Sequence, residues 1–159
     1  MRFMAIQFCF PSDCRDITGL HKYKDGPNTP FYPFGYGLSY TSFEYSQPQL
    51  SSARIKPTES VNVTFTVKNT GTREGVEVAQ LYIRNMYSSA TRPVKELKDF
   101  CRVALAPGES KRVTFTVTPD KLAFFDRDMK YVVESGEFEV MVGGSSKDED
   151  LQRIRFNVQ

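Results

Sequence analysis

The residues of this chain whose chemistry could support catalysis are few and scattered. The one histidine, His21, stands among Lys22, Lys24 and Asp25, with no serine or cysteine motif near it. A general base needs a nucleophile to activate, so we expect His21 to be a solvent-exposed loop residue. The sequence therefore predicts no nucleophilic catalysis.

The three cysteines do not form a recognisable metal or redox motif. Cys9 and Cys14 are five positions apart with Pro11 between them, which fits neither a zinc knuckle nor a redox pair. Cys101 lies in a predicted strand, where it is most simply a small buried apolar residue. We therefore predict no metal-binding and no cofactor-binding residue.

The carboxylates are better explained by structure than by catalysis. Asp126 and Asp128 flank Arg127 in FFDRDMKYV, where short carboxylates accept backbone N–H groups in a hairpin turn. The run 148–150 is a solvated connection or, alternatively, a calcium site, although it lacks the spaced oxygen ligands of a dedicated loop. At predicted strand edges, Glu44, Glu74 and Glu77 have no second carboxylate at a spacing suited to acid–base catalysis. No catalytic residue is predicted.

Composition indicates a globular domain with an appendage. The chain has 159 residues, of which 40% are hydrophobic and 25% charged. Its net charge of +2 is spread over interspersed acidic and basic residues, so neither a nucleic acid nor a membrane partner is predicted. The opening MRFMAIQFCF is interrupted by Gln7 and lacks a small-residue cleavage site before Pro11, so we expect no signal peptide.

From about residue 43 the hydrophobic pattern has a period of two, which is typical of half-buried strands. It occurs in SVNVTFTVKNTG, KRVTFTVTP, GEFEVMVGG and RIRFNVQ, while GVEVAQLYIRN is apolar on both faces and should be a central strand. We place the crossing between two sheets in the connection 85–95. The predicted fold is an all-β, immunoglobulin-like antiparallel sandwich of about seven strands. Its predicted core is Phe65, Val67, Leu81, Phe115, Val117, Phe138 and Val140.

The stretch YPFGYGLSYTSFEYS, residues 32–46, fits neither a strand nor an amphipathic helix. Its aromatic rings gain free energy when they leave water, at roughly 25 cal/mol per Å² of apolar area. We therefore expect another surface to cover them.

Four segments in order resemble the C-terminal portion of family 3 glycoside hydrolases, the β-glucosidases and β-xylosidases. They are TPFYPFGYGLSYTSFEYS, VTFTVKNTGTREGVEVAQLYI, RPVKELKDFCRVALAPGES and GEFEVMVGGSSKD. The resemblance extends from about Leu20 to Gln159, and residues 1–17 match poorly. It implies an irregular N-terminal extension and joining segment over 1–42, followed by a fibronectin type III-like sandwich over 43–159.

The resemblance also implies a role. In the family, the catalytic carboxylates lie upstream of this region, so the isolated chain should not be an enzyme and looks like a fragment. We expect a non-catalytic domain that braces the catalytic domains of the parent glycosidase and shapes the rim of its active site. The alternative is a stand-alone carbohydrate-binding or protein-interaction module. The parent family is often periplasmic or secreted, which leaves localisation open. The residues expected at the domain interface, where the isolated chain should self-associate, are Phe31, Tyr32, Phe34, Tyr36, Leu38 and Tyr40.

Overall fold

A computed structural model describes residues 31–159 of the chain. The predictions made for Cys9, Cys14 and His21 lie outside the described residues. Within them, strands dominate and pack as two facing sheets, which confirms the predicted all-β sandwich. The helical elements of this part are too short to cross a membrane; they are α1 (Pro119–Leu122) and a 3-10 turn (Asp148–Asp150).

The first sheet is built around strand β4. One edge of β4 pairs with β7 along its length, and the other edge pairs with the short strands β1 and β2 in succession. All these pairings are antiparallel. The bounds are β1 (Phe43–Tyr45), β2 (Gln49–Leu50), β4 (Val61–Asn69) and β7 (Ser110–Val117).

The second sheet has five strands in the order β3-β11-β10-β5-β6. Only the short β3–β11 pairing is parallel among the pairings described. A separate two-stranded hairpin, β8–β9, follows α1. The bounds are β3 (Arg54–Ile55), β5 (Gly75–Asn85), β6 (Glu96–Leu105), β8 (Phe124–Phe125), β9 (Tyr131–Val132), β10 (Gly136–Gly143) and β11 (Gln152–Val158).

The alternating patterns place the predicted core between the sheets. In β4 every second residue, from Val61 to Asn69, is buried, because successive side chains of a strand lie on opposite faces. Phe65 and Phe115 from the first sheet lie with ring centroids 5.7 Å apart. The prediction is confirmed for all seven residues: Phe65, Val67, Leu81, Phe115, Val117, Phe138 and Val140.

Strand β5 is interior, as predicted, but only half of it is covered on both faces. Ala79, Leu81 and Ile83 lie in the core between the sheets. On the opposite face Tyr82 is buried, whereas Val76 is 46% exposed. The prediction of a doubly covered strand is therefore wrong at its first residues.

The predicted crossing between the sheets is also wrong. The connection 85–95 joins β5 to β6, which are antiparallel neighbours in the same sheet. The chain instead crosses between sheets at several other connections, among them 70–74, after β4, and 106–109, before β7. The connection 85–95 was predicted to be the crossing because it is long. A short connection is enough, however, to carry the chain from one sheet of a sandwich to the other.

The hairpin turn predicted around Asp126 is confirmed. Asp126 Oδ1 accepts hydrogen bonds from the backbone N–H groups of Asp128 and Lys130, each at 2.9 Å. The turn joins β8 to β9 and holds Met129 at a φ of 60°. These contacts explain Asp126 by backbone capping.

A buried asparagine, Asn69, connects the end of β4 to its surroundings. Its side-chain Oδ1 accepts from Thr41 Oγ1 at 2.6 Å and from Gly71 N at 3.0 Å. Its Nδ2 donates to the carbonyls of Arg73 at 2.7 Å and Leu105 at 3.2 Å. The amide thus has both donor hydrogens and both acceptor sites in use, as a buried polar group requires.

A second polar contact joins the two sheets. Tyr45 of β1 donates its hydroxyl to Glu77 Oε1 of β5 at 2.8 Å. Burial raises the pKa of Glu77 above its usual range, although the Tyr45 hydrogen bond acts in the opposite direction. Burial, and then the charge of Glu77, raise the pKa of the Tyr45 hydroxyl. The carboxylate is thus held in a site that disfavours its charge.

Replacing Phe115 by Ala should lower the free energy of unfolding by about 3–5 kcal/mol, the usual range for emptying a buried Phe site. Phe115 is 5% exposed and contacts Phe65 across the β4–β7 pair. Urea unfolding followed by circular dichroism measures the change. A loss below about 1 kcal/mol would show that the ring contributes little to the core.

Replacing Glu77 by Gln should remove part of the pH dependence of stability. A carboxyl whose folded pKa is raised stabilises the fold fully below its unfolded pKa, near 4.5, and less as pH rises through the folded value. The wild type should therefore lose stability relative to Glu77→Gln as pH rises above about 4.5. Gln retains an oxygen that can accept the Tyr45 hydroxyl.

The measurement is urea unfolding of both proteins between about pH 4 and 8. The matched control is Glu44→Gln, which changes an exposed carboxylate on β1. Parallel stability profiles for wild type and Glu77→Gln would contradict the prediction.

Candidate functional site

The joining segment, residues 31–42 of the described chain, exposes a set of large apolar side chains. Their exposed fractions range from 41% for Phe34 to 92% for Tyr40. Monomeric soluble proteins rarely expose large contiguous apolar patches. The set contains all six predicted interface residues: Phe31, Tyr32, Phe34, Tyr36, Leu38 and Tyr40.

Three of the rings contact each other. Phe31 and Tyr32 meet edge to face, with centroids 4.8 Å apart, and Tyr32 and Tyr36 lie 5.3 Å apart at an angle of 37°. Such contacts between rings are favourable beyond simple burial. Phe31, Tyr32 and Tyr36 therefore form one aromatic group on the surface.

Main-chain atoms of the segment bind the five-stranded sheet. Residues 33–36 form a turn in which Tyr36 N donates to Pro33 O at 3.1 Å. The Phe34 carbonyl accepts from the backbone N–H of Ser146 at 2.9 Å, and the Gly35 carbonyl accepts from Gln80 Nε2 at 3.3 Å. The backbone of the turn is thus bound to the sandwich while its rings stay exposed.

Gln80 is a buried polar residue that sequence analysis missed. It lies in β5, is 5% exposed, and donates from Nε2 to the Gly144 carbonyl as well as to Gly35. Its Oε1 accepts the hydroxyl of Tyr82, so both ends of the amide are bonded. The available signal was an amide between Ala79 and Leu81 in an apolar strand, because a buried amide needs specific partners.

The other end of the segment is held at Thr41. Its hydroxyl donates to Asn69, and its methyl lies against Gly75, where a Cβ would come within 2.6 Å of it. The joining segment therefore contacts the sandwich near both ends.

The outer face of the five-stranded sheet is only partly covered. Tyr82, Met141 and Leu151 form a small buried cluster there. Phe100 of β6, which pairs with Gln80, is 62% exposed, and Val76 is 46% exposed. The exposed ring of Phe100 thus lies beside Gln80, the strand position that binds the turn. We call this face, together with the rings of the joining segment, the docking surface.

Several carboxylates of the described chain are engaged in ion pairs. Asp148 contacts Lys95 at 2.8 Å and also pairs with Arg153. Burial alone would raise the pKa of Asp148, but these two cations outweigh it and hold the pKa below its usual range. Glu139, which is 3% exposed, pairs with Arg155 at 3.0 Å.

Within residues 31–159, Cys101 and the carboxylates form no group of three side chains that could hold a metal ion. Cys101 is half-buried rather than fully buried and packs against the core, where burial raises the pKa of its thiol. The carboxylate of Glu77 is bonded to Tyr45 and that of Asp126 to backbone. These two carboxylates therefore have identifiable structural partners.

Comparisons with known proteins agree on the type of domain. Residues 77–146 match the family model of the fibronectin type III-like domain. A β-xylosidase of Formosa agariphila is 42% identical over 142 residues, which are 89% of this chain and 20% of that protein. A β-glucosidase of Bacteroides ovatus is 45% identical over 133 residues, or 83% of this chain and 18% of that protein.

Solved structures show the same relation. The β-glucosidase of Listeria innocua, crystallised with glucose, superposes with a TM-score of 0.81 at 41% identity. The superposition covers 91% of this chain and 20% of the Listeria chain. The chain thus spans about a fifth of the length of the relatives that it matches. The recognition made from the sequence is confirmed: this chain carries the C-terminal fibronectin type III-like domain of the family 3 β-glucosidases and β-xylosidases.

Proposed function

We propose that the chain is a non-catalytic structural domain that braces the catalytic part of a β-glucosidase-like glycosidase of family 3. The docking surface is the observation that carries this proposal. It presents apolar rings next to exposed apolar residues of a sheet, on a domain that corresponds to about a fifth of its relatives. The remaining four fifths of such a protein would supply the surface that buries these apolar side chains.

The physical properties of the docking surface suit a contact between domains. Aromatic side chains dominate the free energy of protein interfaces because each ring buries a large apolar area. The polar backbone atoms of the turn at 33–36 are already bonded to the sandwich. The rings can therefore be covered without leaving these carbonyls unpaired, which would cost free energy.

The absence of catalysis in this domain is part of the proposal. A retaining glycosidase needs two carboxylates about 5 to 5.5 Å apart with room for a sugar between them. The carboxylates of Glu77, Asp126, Asp148 and Glu139 are instead bonded to a tyrosine, to backbone or to cations. These contacts support a structural role for the acids in the described chain.

The proposed division of the chain follows from the same contacts. The sandwich would comprise residues 43–159, beginning with β1 at Phe43. Residues 1–42 would be the extension that joins it to the catalytic part. In the described section of that extension, the polar contacts of Gly35 and Thr41 connect it to the sandwich.

A carbohydrate-binding module is the second candidate, and one observation favours it. Tyr32 and Tyr36 are 65% and 47% exposed and lie in contact, so a pyranose ring could stack on them. However, these rings belong to an irregular segment rather than to the face of a strand. The chain also has no tryptophan, the largest aromatic platform for a sugar.

The purified chain should show no turnover of aryl β-glucosides or β-xylosides above the uncatalysed rate. It should also show no saturable heat in calorimetric titrations with cellulose oligosaccharides or soluble xylan, because a brace has no sugar site. Saturable binding that is lost in a Tyr32→Ala, Tyr36→Ala variant would favour the binding module. Turnover that disappears on replacing one carboxylate of the chain would contradict the non-catalytic role.

The isolated chain should self-associate through the docking surface. Without the catalytic part that would bury these rings in the whole protein, a second copy of the chain should bury them. Light scattering at several concentrations should show a mass that rises with concentration. The Phe34→Ser, Tyr36→Ser variant should be monomeric over the same range. The matched control replaces Phe125 and Tyr131 by Ser, because these rings are 58% and 54% exposed and in mutual contact elsewhere.

A wild-type chain that stays monomeric at every concentration would contradict self-association. Equal effects of the two double variants would show that exposed rings in general, rather than the docking surface, drive it.

A further inference from the structure

We propose that Gln80, Tyr82, Gly144 and Ser146 form a binding site for a glycine-containing turn, and that its ligand is the 33–36 turn of the same chain. We call it the Gln80 site. Its role is to hold the rings of the joining segment in one orientation before any partner arrives. That role rests on the proposed bracing function, whereas the existence of the site does not.

The Gln80 site recognises main-chain atoms. Two consecutive carbonyls of the turn, those of Phe34 and Gly35, accept hydrogen bonds from Ser146 N and Gln80 Nε2. Neither bond depends on the side chains at 34 or 36, so the rings are not used for attachment. Phe34 and Tyr36 accordingly remain 41% and 47% exposed.

The Gln80 amide is oriented before it meets the turn. Its Nε2 also donates to the Gly144 carbonyl at 2.5 Å, and its Oε1 accepts the Tyr82 hydroxyl. Gln80 and Tyr82 are 5% and 2% exposed, so both side chains are buried. An oriented, desolvated donor forms a stronger hydrogen bond than a mobile surface amide does.

The site selects glycine at position 35. Gly35 has a φ of +77°, a conformation that other residues adopt at a cost. A Cβ there would also lie 2.6 Å from Gln80 Nε2 and 2.8 Å from Gln80 Cδ, well inside contact distance. Gly37, two positions further on, would meet nothing within 4 Å. A side chain at position 35 would therefore strain the backbone and clash with Gln80, whereas a side chain at position 37 would meet no neighbour.

Holding the turn in this way lowers the cost of docking. Ordering a flexible segment at an interface consumes free energy that would otherwise contribute to affinity. Here the sandwich orders the segment through the Gln80 site at one end and through Asn69 and Thr41 at the other. The rings are thereby presented as a preformed surface.

The test is native-state amide hydrogen exchange of the full chain, read at Ser146, whose N–H donates to the turn. Gly35→Ala should lower the protection of this amide at least about tenfold, because it removes the bond and adds strain. Gly37→Ala, the matched control, should leave it unchanged. Amides of β10 report global stability and should change little in either variant.

The Gln80→Leu variant is a second test of whether the Gln80 site protects the Ser146 amide. Leu fills a similar volume without donating, so Ser146 should lose protection while the β10 amides show that the sandwich remains folded. Unchanged protection of Ser146 in both Gly35→Ala and Gln80→Leu would overturn the proposal. A loss equal to that of the β10 amides would also overturn it, because the effect would then be global.

This outcome is separate from that of the bracing function. The Phe34→Ser, Tyr36→Ser variant keeps the backbone bonds of the turn, so it should keep the protection of Ser146 while it abolishes association. If the wild-type chain associates through the rings but the Ser146 amide is unprotected, the proposed bracing function is retained and the proposed Gln80 site is wrong.

Discussion

The side chain of Asn69 is the constraint on which the arrangement of the sheets depends. It lies fully buried at the end of β4, where the chain leaves the first sheet for the second. Its amide binds the crossing at Gly71 and Arg73, the end of β6 at Leu105, and the joining segment at Thr41. A hydrophobic contact could bury the same area, but only directional bonds set the position of all these elements together.

The same kind of contact recurs along the segment that precedes the sandwich. Gly35 is bound by Gln80, Thr41 by Asn69 and Tyr45 by Glu77. Each of the three contacts joins residues before or within β1 to a buried or half-buried polar side chain of the sandwich. The core between the sheets supplies stability, whereas these polar contacts determine where the segment lies and which of its groups stay exposed.

In the proposed bracing role, this division of tasks would let the domain serve a larger enzyme. A brace must be stable by itself and must present a surface in a defined orientation. The apolar core meets the first requirement, with residues from both sheets packed between them. The docking surface would meet the second, because its backbone is bound to the sandwich and its rings are exposed. The buried carboxylates then have a structural use at the junctions of strands.

Much of this fold follows from the sequence by itself. Period-two alternation identified β4, β7, β10 and β11, because side chains of a strand lie on opposite faces, and it also predicted the core around Phe65 and Phe115. The carboxylates around Asp126 were assigned to a turn because short acids cap nearby amides. These features depend on neighbours in the chain. Tertiary structure alone decided that β5 and β6 are partners, that Val76 lies in solvent, and that Gln80 binds a turn 45 positions away. Each of these features depends on contacts between residues far apart in sequence. A local sequence pattern does not specify which distant residues will cover or bind a given side chain.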